Sequence, residues 1–188
     1  MFTTPQLCLG PWKKECYNEK TNTVAYFYWM MGHCCNMKRL IIKKKERRLS
    51  LLNEEGSEVF SCPVGLGFSP LGGKEREGDG KTPEGEYFIC LKREAGKYGM
   101  ALGISYPNEK DAGKAFAQGL ISNDELAAIG SAFREGRRPP WGTKMGGEIY
   151  LHGGGACDWT AGCIALSDAD MKNLFPLLEE RDEVIILP

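Results

Sequence analysis

The stretch HGGGACDWTAGC, residues 152 to 163, holds one of the chain's two histidines, three consecutive glycines and two cysteines. A thiol attacks carbonyls only as thiolate, and an ordinary cysteine, with a pKa of about 8.5, is mostly protonated at neutral pH. A histidine within reach removes that proton and later returns it to a leaving amine. His152 and Cys163 are therefore the candidate base and nucleophile. Gly153, Gly154 and Gly155 let the chain turn back so that Cys163 can approach the imidazole, because glycine adopts backbone geometries closed to other residues. Gly162 permits a tight backbone just before the nucleophile, and the amides of residues 161 to 163 can face a developing oxyanion. Other readings stay open. Cys163 can begin a buried strand, form a disulfide with Cys157, or share a redox role with it, although their spacing exceeds that of a CxxC pair.

The residues around this pair can be read in two ways each. Asp158 and Trp159 lie on the loop between base and nucleophile. Trp159 can pack against a substrate and Asp158 can bind a positive group, or Trp159 can pin the loop to the core. Upstream, residues 69 to 85 (SPLGGKEREGDGKTPEG) form a polar loop dense in Gly and Pro. There Thr82-Pro83 suits a fixed turn, and Asp79 suits hydrogen bonding to loop amides.

Such a site needs a scaffold, and the pattern predicts one that is mainly β. His152 ends a strand in which Ile149 and Leu151 alternate with Tyr150. RLIIKKKERRLSLLNEEGSEVFSCPVGLG reads as three short strands joined by KKER and NEEGS turns. EYFICLK predicts a strand covered on both faces, and MALGISYP, CIAL and EVIIL predict three more. The period changes over residues 108 to 135. Ser122 and Glu125 form a capping box, followed by Leu126, Ile129 and Phe133 on one helix face. Ser167 to Asp170 opens a second helix that turns Met171, Leu174, Phe175 and Leu178 inward. Residues 38 to 188 thus predict one mainly β domain with short helices on its rim.

The 188 residues are 42% hydrophobic and 26% charged, with 24 Lys+Arg against 25 Asp+Glu. A core is affordable, and the near-zero net charge gives no reason to expect nucleic acid or an anionic membrane as partner. The run Lys43-Lys44-Lys45 with Arg47 and Arg48 is expected to decorate a solvent face. Residues 1 to 37 are cysteine- and aromatic-rich without a clear period and read as an extension of unknown structure. Its apolar stretch VAYFYWMMG, residues 24 to 32, faintly echoes an export signal, reads better as an aromatic-rich strand or amphipathic surface segment, and is too short to span a membrane. Cys8, Cys16, Cys34 and Cys35 lie there; Cys62 and Cys90 read as small buried side chains.

LHGGGACDWTAGCIALSDADMKNLF resembles the active-site segment of the L,D-transpeptidase (YkuD-domain) family, in which a strand-end His-Gly precedes a loop and a Ser/Thr-x-Gly-Cys-Ile motif. Gly78-Asp79-Gly80-Lys81-Thr82-Pro83-Glu84-Gly85 resembles the signature of that family's substrate cleft. The resemblance covers about residues 38 to 188 and implies the family's β-sandwich catalytic domain. It implies that Cys163 attacks an L,D-peptide bond of a peptidoglycan stem peptide, that His152 serves as base and then acid, and that the Gly153 carbonyl orients the imidazole. The thioester would pass to an amine, cross-linking the wall, or to water, trimming the stem. Thr160 matches the motif's Ser/Thr, and Asp158, Trp159, Ala161, Gly162, Asp79 and Thr82 fall where substrate is bound. The resemblance implies no metal or organic cofactor, a monomer without a stable protein partner, and a place in the bacterial cell envelope. Two departures stand out: Ala161 replaces the second histidine of the commonest motif, and Ala165 its arginine. Lys144, Arg137 or Arg138 could supply the missing cation. A wall-binding module without catalysis is the competing reading.

Overall fold

A computed structural model describes residues 37–96 and 99–188, of which Met37–Pro188 belong to one compact unit. The expectations for the stretch at 24 to 32 and for Cys8, Cys16, Cys34 and Cys35 lie outside the described residues. The three predicted N-terminal strands are present as β1 (Arg39–Lys43), β2 (Arg48–Leu52) and β3 (Glu58–Pro63). Their alternation has a simple cause. Leu40 faces Leu51 and Ile42 faces Leu49 across the first hairpin, and all four are fully buried.

β4 (Gly85–Arg93), β5 (Ala101–Ile104), β6 (Tyr150–His152), β7 (Ile164–Ala165) and β8 (Glu183–Leu187) complete one sheet in the order β3-β2-β1-β8-β4-β5-β6-β7. β8 is the middle strand that joins the halves, parallel to β1 and antiparallel to β4. The sheet curls until the chain leaving β3 meets β7. Gly65 and Ala165 exchange amide–carbonyl bonds of 2.8 and 2.9 Å, and Gly67 bridges to Thr160. One apolar core fills the curl, drawn from every strand, with Met171, Leu174, Phe175 and Leu178 covering it from outside the sheet. The closure pairs β7 on its second side and ties the segment before it to the chain leaving β3.

Helices α1 (Glu109–Ala117), α2 (Asn123–Arg134) and α3 (Asp168–Leu174) lie on the rim, and a single 3-10 turn, Phe175–Leu177, follows α3. Both predicted caps hold: the Ser122 side chain accepts from the Glu125 amide, and Ser167 from the Asp170 amide. α1 was not predicted as a separate helix. Its signal is Asn108-x-x-Asp111, which builds the same reciprocal capping box with shorter side chains.

The basic run departs from expectation. Lys43 and Lys45 are exposed, but Lys44 is 2% exposed. Its ammonium donates to the carbonyls of Gly72 (2.6 Å) and Thr82 (3.0 Å) and to the Glu84 carboxylate (2.7 Å). Three acceptors match the three N–H bonds of a lysine, which is what makes the burial tolerable. Lys44 thereby fixes the 69–85 loop from below.

Candidate active site

β6 and β7 run side by side in parallel, with Leu151 against Ile164 and His152 against Ala165. Extending that register by one residue sets Cys163 beside Tyr150, two positions from His152 on the same strand. Side chains two apart on a strand share a face, so the thiol and the imidazole are presented to the same side. The loop of residues 153 to 162 is the whole connection between them.

That loop and its base are held by hydrogen bonds along their length. Gly155 donates to the Leu166 carbonyl (2.8 Å), Leu166 donates to the His152 carbonyl (2.9 Å), and Gly154 donates to the Asp168 carboxylate (2.9 Å). Gly153 lacks a Cβ, and one there would overlap the same Asp168 oxygen. Thr160 is buried, donates its hydroxyl to the Cys163 carbonyl (2.7 Å) and accepts from the Gly162 amide (3.1 Å). The Gly162 amide is therefore engaged within the loop, contrary to its expected place in an oxyanion site. Ala161 is exposed beside it. Gly162 has φ +136°, and a Cβ there would stand 2.7 Å from the Lys81 carbonyl oxygen, so the position admits only glycine without rearrangement.

The imidazole of His152 is 1% exposed, and its Nδ1 meets the Gly153 carbonyl at 2.5 Å. A carbonyl accepts only, so Nδ1 carries the hydrogen and Nε2 keeps its lone pair. Burial holds the imidazole below its ordinary pKa, against the opposing pull of that carbonyl. Trp159, 45% exposed, sets its ring edge-on to the imidazole with centroids 5.7 Å apart. It packs on the imidazole itself.

The Cys163 thiol donates to the Glu148 carbonyl (3.5 Å) and accepts from the Tyr150 amide (3.4 Å). Among the described residues these are its hydrogen-bond partners. Burial raises its pKa, partly offset by the Tyr150 amide and the charge of Lys74. Burial thus favours the uncharged form of both side chains. Cys62, Cys90, Cys157 and Cys163 are all free thiols, so the disulfide between Cys157 and Cys163 is not formed.

Three expected substrate contacts are occupied by the protein. Asp158 is bound by Arg47 and accepts the Leu66 amide (2.8 Å). Asp79 pairs with Lys74 (2.8 Å) and caps the amides of Glu75, Arg76 and Lys81. Thr82 is fully buried and takes the Gly67 amide on its hydroxyl (2.9 Å). All three shape loops instead of lining open space.

Two residues that the sequence reading missed, Glu148 and Trp141, lie on the connection that leads into β6. Glu148, at φ +53°, turns its carbonyl to Cys163 and also lines a groove of about 710 Å³. Arg137, Arg138 and Trp141 line the same groove, while Lys144 is exposed outside its lining. The Pro139-Pro140-Trp141-Gly142 run was the available signal. Among the described residues no group of His, Cys, Asp or Glu could hold a metal ion, and no helix is long and apolar enough to cross a membrane.

A buried histidine held by a backbone carbonyl and a cysteine just before the adjacent strand thus stand together on one side of the curled sheet. The family profile of the L,D-transpeptidase catalytic domain (YkuD) matches residues 37–186, and the chain belongs to that family. Its fold is similar to the helical cell shape determining protein Pgp2 from Campylobacter jejuni (K307A mutant), at 25% identity and a TM-score of 0.57, over 80% of this chain and 47% of that one. It is also similar to Bd1075 from Bdellovibrio bacteriovorus, at 20% identity and a TM-score of 0.52, over 81% of this chain and 48% of that one. The chain therefore spans about half the length of these structures. No curated protein sequence matches it.

Proposed function

We propose that the chain is a cysteine acyl enzyme that cleaves an L,D-peptide bond in peptidoglycan stem peptides through a Cys163 thioester. The observation that carries this reading is the Nδ1 contact to the Gly153 carbonyl, which leaves His152 Nε2 as a neutral base on the strand beside Cys163. Nε2 takes the thiol proton as Sγ attacks the carbonyl carbon. The new C–S bond leaves negative charge on the carbonyl oxygen, for which the amides of Ala161 and Cys163 are the proposed donors. Collapse breaks the C–N bond, and the imidazolium returns its proton to the departing D-alanine amine. An amine or a water then attacks the thioester, giving a cross-link or a trimmed stem, and Cys163 recovers its proton. No cofactor takes part in this cycle.

Family membership supports peptidoglycan as the substrate class, and the cell envelope follows as the place where that substrate is met. The likeness to Pgp2, a cell shape determining protein, supports a role in shaping the wall. The test is mass spectrometry of a disaccharide-tetrapeptide incubated with the reduced protein beside Cys163→Ala. A cross-linked dimer, or a stem shortened by its terminal D-alanine, is expected only with the cysteine. Equal turnover by both proteins sinks the reading.

One observation favours a second reading: the thiol rests on Glu148 and Tyr150 backbone groups, not on the imidazole. A chain that binds stem peptides without opening them would show binding and no adduct at Cys163.

A further inference from the structure

We propose that Arg138 forms a carboxylate-binding subsite in the groove beside Cys163, and that the acyl donor is held there through a free terminal carboxylate. This rests on the acyl-enzyme reading only for the identity of the ligand; the subsite itself follows from the groove. The groove runs between the end of α2 and the Pro139–Gly142 segment, and Glu148 forms part of its wall. The same Glu148 offers its carbonyl to the thiol, so the groove and Cys163 share this one neighbour, although Cys163 is not in the groove's lining.

Two arginines line it, and they differ. Arg137 is spent on Glu135 (2.7 Å). Arg138 makes no ion pair among the described residues, and its guanidinium lies 5.0 Å from the centre of the Trp141 ring. That ring is a fixed platform. Its Nε1 donates to the Tyr106 carbonyl (3.0 Å), and its edge meets Tyr150 with centroids 5.6 Å apart. Gly147 makes room for it, since a Cβ at that position would overlap the indole. Tyr150 in turn donates its amide to Cys163 Sγ.

A continuous path of contacts thus links Arg138, Trp141, Tyr150 and the thiol. A guanidinium stacked on an aromatic ring keeps its in-plane N–H groups free for two parallel bonds to a carboxylate. Glu148 sets the opposite sign of charge at the thiol end of the groove. A ligand that enters with its carboxylate toward Arg138 therefore avoids Glu148. β7 offers no competing cation, because Ala165 and Ala161 flank the nucleophile's motif.

The experiment measures calorimetric binding of a disaccharide-tetrapeptide to the full chain carrying Cys163→Ala, using the free C-terminal acid and the C-terminal amide. Each is tested with Arg138 intact, with R138A and with R138K. The acid is expected to bind at least ~10-fold more tightly than the amide when Arg138 is present. R138A should erase that preference while leaving the amide unchanged, and R138K should restore it only in part. Equal loss for acid and amide, no loss for either, or no binding of the acid to the Arg138-containing chain overturns the subsite. Turnover by the chain with Cys163 intact is read in parallel. An acid preference without turnover keeps the subsite and removes the acyl-enzyme reading, and turnover indifferent to R138A does the reverse.

Discussion

Arg47 grips both carboxylate oxygens of Asp158, with contacts of 2.7 to 3.1 Å, although 111 positions separate them in the chain. A turn between two N-terminal strands thereby anchors the loop that joins His152 to Cys163. Burial alone would raise the Asp158 carboxyl, but Arg47 and the Leu66 amide outweigh it and hold it below its ordinary pKa. Asp158 therefore stabilises the fold above the ordinary carboxylate range and loses that contribution as pH falls through its own lower pKa.

Removal of this clamp is expected to cost activity more than stability. Both side chains are about a third exposed, so a double-mutant cycle over Arg47→Ala and Asp158→Ala should give a coupling of only about 0.5–1 kcal/mol in urea unfolding. The rate of Cys163 acylation should fall by a larger factor in either variant, because the loop loses its outer anchor. Activity that survives unchanged would mean the other loop bonds suffice.

Lys44 gives a stronger stability prediction. Lys44→Met leaves the Glu84 carboxylate and two carbonyls without their donor in a mostly buried position. Breaking such a pair from one side is expected to cost about 3 kcal/mol, seen as a lower urea midpoint. Replacing Glu84 by Gln alone should cost less, since that carboxylate is 24% exposed. Equal losses would argue that the ammonium's carbonyl contacts carry little.

The difference between these two residues and their neighbours shows what was readable beforehand. Alternation placed Leu40, Ile42, Leu49 and Leu51 correctly, because a strand's period depends only on which face meets the core. His152, Gly153 and Cys163 were readable because a strand end, a glycine run and a thiol are local. Lys44 and Arg47 were not. Their partners lie in distant loops, and a charge run looks the same whether its members meet solvent or a carboxylate. Asp79 takes the loop-amide role that its type suits, with partners close by in the chain, whereas the contact of Thr82 to the Gly67 amide joins two segments that a local pattern does not connect. The groove at Trp141 depends on the turn taken after α2, which breaker residues announce without specifying.

Gly162 tests the geometry at the nucleophile directly. Gly162→Ala adds a Cβ against the Lys81 carbonyl and forces a residue with a side chain to φ +136°. A cost of about 1–3 kcal/mol is expected from strain alone. Gly155→Ala also meets a positive φ, +99°, but has open space around it. The melting temperature should therefore drop further for Gly162→Ala, with the slower labelling or acylation of Cys163 confined to that variant. Similar losses for both would assign the effect to backbone conformation instead of the Lys81 contact.

The resting contacts of Cys163 predict how the thiol and imidazole titrate. If the thiol rests on Glu148 and Tyr150 backbone groups, it is neutral at pH 7, and His152→Ala should leave its iodoacetamide labelling at neutral pH almost unchanged while abolishing turnover. A preformed thiolate–imidazolium pair predicts the opposite, a large drop in labelling. Peptide-resolved mass spectrometry is needed because Cys157 is exposed, whereas Cys62 and Cys90, pushed up to about 12 by burial, should stay unlabelled. For the base, burial lowers the His152 pKa, so the acid limb of kcat/KM should fall below about 6.5, the ordinary histidine value. The same shift has a stability sign. As pH falls through 6.5 the unfolded chain takes up the proton before the folded one, so the fold weakens there, and His152→Gln should flatten that slope. At the other end, the raised Cys163 thiol ionises first in the unfolded chain, so stability should also fall above about 8.5, an effect that Cys163→Ala removes. An acid limb above the ordinary histidine range would show that a positive shift from substrate or loop closure overrides burial, and that the working site differs from the resting one.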